Sequence, residues 1–263
     1  MWDTLILNPM VNTLMLIYKY LGAGLGDFGL AIILFTVLIR LITLPLTIQQ
    51  QRSTQKMQEL QQSKRWQDAL KKYKDDKQKL QQEQLKMYQE VGFNPLSGCL
   101  PMLIQFPIII GLYQAVMRTL ASTPVQLLDL AKHFYPFVPN LASLIPINSR
   151  FLWMDLGQPE RLYLPFLPNV GIPVLTILVV ITTWLSTKLT TPPSADGQAA
   201  QMGQTMALTM PLMLGYFSYS FAAGLALYFV VSNVLQIVQS AAMGKVNWRN
   251  LLSLSGPKPA KKP

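Results

Sequence analysis

The stretch LFTVLIRLITLPL, residues 34–46, places one arginine inside an apolar run that extends from about 28 to 48. About 20 apolar residues of helix cross the hydrocarbon of a bilayer, so the run reads as a membrane span with a charge near its middle. Only 13% of the chain is charged, against about 25% in typical soluble domains. Four more apolar blocks approach spanning length, at about 96–117, 163–187, 204–221 and 224–243. The last two are separated by FAAG (221–224), which predicts a tight helical hairpin with its turn at the membrane surface. The fold class expected is therefore an all-α integral membrane protein with five transmembrane helices.

The remaining segments are organised around these spans. Residues 1–27 contain an apolar stretch, Leu5–Leu21, interrupted by Asn8, Pro9 and Asn12. It reads as an N-terminal interfacial amphipathic helix, with a sixth span or an uncleaved signal-like segment as the alternatives. Between the first span (28–48) and the remaining four (93–243), residues 49–92 are rich in Gln, Lys, Glu and Asp and hold no Pro, and no Gly before Gly92. That composition predicts two antiparallel helices, turning at KYKDDKQ where Asp75 or Asp76 can cap the second. Trp66, Leu70 and Tyr73 share one face, but apolar residues are otherwise too sparse for an independent core, so the hairpin is expected to be mobile. It reads as a solvated linker or as a docking arm for polypeptides, and its length favours the arm.

The outer loop, 118–162, is rich in Pro and aromatics, including HFYPFVPN (133–140) and FLWMDLGQPERLY (151–163), a composition suited to the bilayer interface. Orientation follows from the basic residues. Ten Lys or Arg lie in 49–92, five more in the basic tail 244–263, and Lys188 joins them, so sixteen of 22 face one compartment. That compartment is the cytoplasm or its organellar equivalent. The protein reads as multi-pass in a cell inner or plasma membrane, with its C-terminus cytoplasmic and its net charge of +10 mostly topological. DNA binding is a poor fit.

Arg40 shares a face with Thr36, Thr43 and Thr47, spaced four, three and four apart. In the last span Ser232, Asn233, Gln236 and Gln239 form a similar stripe, and Gln105 lies between Pro101 and Pro107 of the second. Arginine at the centre of a membrane helix costs roughly 2.5–3.5 kcal/mol on insertion scales. Arg40 lies about 12 Å from the cytoplasmic end of its span at 1.5 Å per residue, too far for easy snorkelling. No Asp or Glu occurs within the five spans, Asp27 lying at the outer boundary, so no acid partner is built in. Water, carbonyls and the Gln and Asn side chains are left to solvate the guanidinium, which requires a hydrated recess open to the cytoplasm.

Other chemistry fits poorly. GLGD (24–27) matches the pattern of intramembrane aspartyl proteases, but no second membrane aspartate shares a proton with Asp27. Ser218, Ser220 and Ser232 have no membrane histidine or lysine to activate them. His133 is the sole histidine and Cys99 the sole cysteine, so no catalytic residue, metal site or cofactor is expected. A small-solute or ion transporter using the polar cavity remains the alternative function.

From the hairpin onward the sequence resembles the YidC family of membrane protein insertases. The resemblance is carried by DDKQKLQQEQLKMYQEVGFNPLSGCLPMLIQFPIIIGLY (75–113), FLWMDLGQP (151–159) and FAAGLALYFVVSNVLQIVQ (221–239). It implies a five-span core around a hydrophilic groove, open to cytoplasm and lipid and closed outward, with Arg40, Thr36, Thr43, Gln105, Ser232, Asn233 and Gln236 as groove residues. The implied partners are nascent membrane proteins and the lipid bilayer, with the Sec translocon and the ribosome as further ones. The implied action is insertion without a covalent step. The sequence departs from the family pattern at Ala222, where Pro is frequent, at Phe229, where Trp or Tyr is common, and at Gln62, where Pro often follows the Leu-Gln pair. The plan is that of the short members without a large outer domain.

Overall fold

The computed structural model of the chain describes residues 1–25, 27–73, 76–90, 100–120, 123–135, 144, 146–163, 171–190 and 198–244. A π-helical turn (Asp3–Leu7) leads into α1 (Asn8–Leu25), followed by α2 (Phe28–Gln62), α3 (Lys64–Lys72), α4 (Lys77–Glu90), α5 (Leu100–Thr119) and α6 (Pro124–Lys132). Two short antiparallel hairpins come next, β1 (Arg150–Phe151) with β2 (Met154–Asp155), and β3 (Leu162–Tyr163) with β4 (Gly171–Ile172). Helices α7 (Val174–Thr190), α8 (Gln198–Ser220) and α9 (Ala223–Ala242) complete the chain. The protein is mostly helical.

Among the described residues two helices are long and apolar enough to cross a membrane, Phe28–Ser53 and Ala223–Ala242, and Val174–Thr190 is a shorter apolar helix. Helix α2 contains 35 residues, about 52 Å at 1.5 Å per residue. It outruns the roughly 30 Å of hydrocarbon and continues unbroken into the polar segment. Helix α7 begins at Val174, not at 163 as the apolar pattern suggests. Pro165, Pro168, Gly171 and Pro173 crowd the preceding stretch, and prolines inside a helix remove donors and clash with the turn before. Residues 162–163 and 171–172 pair as strands instead. Helix α8 ends at Ser220 and α9 starts at Ala223, so the FAAG turn stands where the sequence places it.

One core joins α1, α2, α5, α7 and α9. Leu7, Val11, Leu14, Phe28, Ile32, Leu112, Val179 and Ala223 are fully excluded from solvent. Two glycines, at the starts of α2 and α9, let neighbouring elements come close. A Cβ on Gly29 would lie 2.2 Å from Cγ of Phe151, and one on Gly224 would lie 2.9 Å from Cγ1 of Val116 and 3.2 Å from the Leu156 carbonyl. The loop carrying FLWMDLGQP therefore sits directly on the starts of α2 and α9. Its carbonyls also satisfy the first amides of α9, with Ala223 N donating to Gln158 O at 2.8 Å and Gly224 N to Leu156 O at 3.0 Å, donors that a helix N-terminus otherwise leaves orphaned. Buried Glu160 completes the fastening, accepting from Trp153 Nε1 at 2.9 Å and from Leu175 N at the start of α7 at 3.0 Å. A single carboxyl group thus holds the β1–β2 hairpin to α7, and each of its oxygens is met by a donor.

The helical arm behaves differently from the spans. The end of α2 breaks at Ser63, whose hydroxyl caps α3 by accepting from Trp66 N at 3.3 Å. Before α4, Asp76 N donates to Tyr73 O at 3.2 Å, and Asp76 caps α4 by accepting from Lys79 N at 3.1 Å; Asp75 lies outside the described residues. Trp66, Leu70 and Tyr73 do share a face, and it meets Met87 and Tyr88 of α4 in a small second core where Trp66 is 2% and Met87 1% exposed. At the rim Arg65 and Glu90 form a two-pronged ion pair. Hydrogen bonding from Arg65 holds the Glu90 carboxyl below its usual range, and the Glu90 hydrogen bond raises the Arg65 guanidinium. The pair's contribution is therefore present at neutral pH and lost only as pH falls below the ordinary carboxylate range. Since both side chains are exposed, it adds little beside Trp66. Trp66→Ala is expected to loosen the arm by about 3 kcal/mol, seen as faster proteolysis at 73–76, whereas Arg65→Ala should barely change the cleavage rate.

Candidate polar site between α2 and α9

Arg40 projects from α2 onto α9. Its Nη2 donates to the Ser232 carbonyl at 2.8 Å, to Ser232 Oγ at 2.6 Å and to Gln236 Oε1 at 3.4 Å. Among the described residues no carboxylate pairs with it; the ion pairs join Arg65 to Glu90, Lys79 to Asp76, Lys86 to Glu83 and Arg118 to Asp3. A guanidinium carries five N–H donors, and here a single nitrogen makes these contacts. The remaining donors stay available on a partly buried side chain. Along the same helix Leu38, Leu41 and Ile42 are exposed, so the charge sits beside an apolar outer surface.

The threonines of the stripe are satisfied within α2. Thr36 Oγ1 donates to Ile32 O at 2.7 Å, Thr43 Oγ1 to Ile39 O at 2.8 Å and Thr47 Oγ1 to Thr43 O at 2.9 Å, the back-bonding usual for hydroxyls in apolar helices. Thr43 flanks Arg40 and is partly exposed, whereas Thr36 is wholly buried. It closes the inner end of the site and offers no surface to a ligand.

On α9, Ser232 and Gln236 meet Arg40, but Asn233 does not. Its Nδ2 donates to Thr183 Oγ1 at 2.8 Å and Thr182 Oγ1 at 3.2 Å of α7. One residue of helix rotates a side chain by about 100°, which carries Asn233 from the Arg40 face to the α7 face. Thr182 also donates back to Leu178 O at 2.7 Å, so it stays bonded without Asn233. Asn233→Leu is accordingly expected to weaken α7–α9 packing by about 0.6 kcal/mol, the mean for interhelical hydrogen bonds in membranes, while leaving the Arg40 site intact. Thermal melting in detergent against a ligand-free parent reads that difference.

Gln105 of α5 does not reach Arg40 directly. Its side-chain amide donates to the hydroxyl of Tyr228, a residue that sequence patterning missed. Tyr228 is 3% exposed, one turn before Ser232 on the same face, and its spacing from Ser232 was the available signal. Gln105 also borders a cleft of about 250 Å³ among α5, α8 and α9, whose accessible lining is apolar. Phe106, Ile109, Met213, Leu214, Phe217 and Phe229 line it. The polar site and the apolar cleft thus meet at the Gln105–Tyr228 pair. The segment 91–99 with Cys99, and the basic tail from Lys245, lie outside the described residues, and those residues hold no cluster of metal ligands.

Residues 20–249 match the family profile described as 60Kd inner membrane protein. The chain is 37% identical to the membrane protein insertase MisCA of Bacillus subtilis, over 91% of this chain and 77% of that protein. It is 36% identical to the membrane protein insertase YidC of Clostridium perfringens, over 89% and 90% respectively. Its fold resembles a crystal structure of an active YidC insertase with the first transmembrane domain resolved, at TM-score 0.55 and 27% identity, covering 88% of this chain and 45% of that one.

Proposed function

The chain belongs to the YidC family of membrane protein insertases, a multi-pass protein of the inner or plasma membrane, and from that premise we propose that the Arg40 site receives the polar tail of each nascent client. The observation that carries this reading is a guanidinium bound only by Ser232 and Gln236, with no acid partner among the described residues. The site lowers the desolvation barrier for a polar tail, and Arg40 attracts acidic residues within it. The client's apolar segment leaves through the cleft that begins at Gln105, where polar and apolar surfaces adjoin. No bond is made or broken, and the energy comes from transferring apolar side chains from water to lipid.

The rest of the architecture serves this passage. We assign five spans, with α2, α7 and α9 starting at the outer face and the arm and basic tail in the cytoplasm, as the sixteen basic residues on that side suggest. That cytoplasmic surface is the one offered to a ribosome or to the Sec translocon. The loop fastened by Gly29, Glu160 and Gly224 seals the outer end. Helix α1 is assigned to the outer interface. Its segment meets the last turns of α5 through Trp2 with Gln114 at 2.7 Å and Asp3 with Arg118 at 3.8 Å, and Asn12 bonds residues 133–135. A sixth span leading into α2 would end at the outer face and run parallel to α5, which would bring its start to the opposite end of α5.

Reconstitution tests the reading. Purified protein in liposomes is expected to insert a single-span client with a short polar tail that protein-free liposomes leave exposed to protease. Equal insertion with and without the protein, across several clients, would overturn it.

A further inference from the structure

The polar faces of α2 and α9 do not end at Arg40. Gln51 follows Arg40 by eleven residues, and at 100° per residue that returns to within about 20° of the same direction, roughly 16 Å farther along α2. Gln239 follows Ser232 by seven residues, two turns on and again within about 20°. The two faces that meet at Arg40 and Ser232 therefore both continue toward the cytoplasm, each with a glutamine. Gln51 Oε1 and Gln239 Nε2 are both buried, and neither has a hydrogen-bond partner. A buried polar group without a partner is an unusual and costly feature, and two on the approach to a charged site call for an occupant.

A side-chain amide carries the same groups as a peptide unit, an acceptor oxygen and N–H donors. A polypeptide crossing an apolar layer in extended form presents the complementary need, since its own N–H and C=O groups are unmet away from water. We propose that Gln51 and Gln239 form a backbone-binding track that holds the client's leading tail as an extended chain, independent of its side chains, between the cytoplasm and Arg40. At about 3.3 Å per residue the 16 Å between the levels of Arg40 and Gln51 accommodates about five residues of tail. Charge selection at Arg40 and backbone capture below it are then separate functions of one groove, so this proposal rests on the Arg40 reading and adds a ligand class to it.

The test uses the full-length protein in liposomes and clients with neutral, acidic or proline-substituted tails. Gln51→Leu and Gln239→Leu are each expected to slow insertion about threefold, the effect of one membrane hydrogen bond, and equally for neutral and acidic tails. A tail with proline at most positions lacks N–H groups, so it should be far less sensitive to Gln51→Leu, whose buried unpartnered atom is an acceptor, than to Gln239→Leu, whose buried unpartnered atom is a donor to its carbonyls. Leucine suits a membrane helix, and Gln51→Asn keeps an amide as a second control, expected to recover part of the loss. Wild-type rates with neutral tails in both leucine variants, or a loss in Gln51→Leu as large for the proline tail as for the others, would overturn the track. If those results appear while Arg40→Ala still discriminates against acidic tails, the track falls and the Arg40 site stands; if Arg40→Ala is silent as well, both fall.

Discussion

Replacing Arg40 by alanine is expected to slow insertion of clients with acidic leading tails about tenfold, and of neutral-tail clients far less. A unit charge pair at 4 Å is worth about 1 kcal/mol in bulk water and about 4 kcal/mol near a protein surface. A wet recess between helices lies between these limits, and a tenfold rate change corresponds to about 1.4 kcal/mol. Arg40→Lys should keep much of the activity. The Arg40 contacts run through one nitrogen to Ser232 and Gln236, so the site uses charge and reach more than the two-pronged geometry unique to arginine. Insertion assayed with client pairs differing only in tail charge measures the ratio. Equal losses in the alanine and lysine variants, for both tails, would reject the electrostatic account.

The second large effect is predicted at the outer seal. Gly29→Leu places carbon where the Phe151 ring already lies, since even a Cβ would approach Cγ to 2.2 Å. Phe151 is 8% exposed and belongs to the main core, so the ring has little room to yield. Overpacking of this kind costs typically 1–3 kcal/mol, and here the cost falls on the loop that also caps α9 and fastens α7 through Glu160. The variant is expected to lose about 2 kcal/mol of stability in detergent and to accumulate poorly in membranes. Removing the obstacle with Phe151→Ala in the same chain should recover part of that loss. A double variant no better than Gly29→Leu alone would show that the ring is not the obstacle.

These two sites were not equally legible in the sequence. Arg40, Ser232 and Gln236 were, because helical periodicity puts each on a defined face and the absence of span carboxylates leaves those faces only one another. Tyr228 lies on the same face, but a tyrosine in an apolar run reads as packing. Asn233 falls within the same polar stripe, but a residue next to Ser232 points about 100° away, and which helix lies there is a tertiary fact. Gly29 and Glu160 carried no signal at all. A glycine's closeness to a ring 122 residues away, like the donors gathered on one carboxylate, exists only once the loop has docked.

The start of α7 shows another limit. Hydropathy carries the span back to 163, whereas residues 162–163 pair with 171–172 as strands and α7 starts only at Val174, after Pro173. In the arm, sparse apolar residues suggested no core of its own. Trp66, Met87 and Tyr88 form a small one because a single large aromatic side chain buries as much surface as several aliphatic ones.

The central claim is that water reaches Arg40 from the cytoplasm and from nowhere else. With Cys99 replaced by serine, single cysteines at Thr43 and Gln236 can be exposed to a membrane-impermeant thiol reagent from either side of sealed vesicles. The account predicts labelling of both positions from the cytoplasmic side and protection of both from the outer side. Protection from both sides, or labelling from the outer side at a comparable rate, would contradict it.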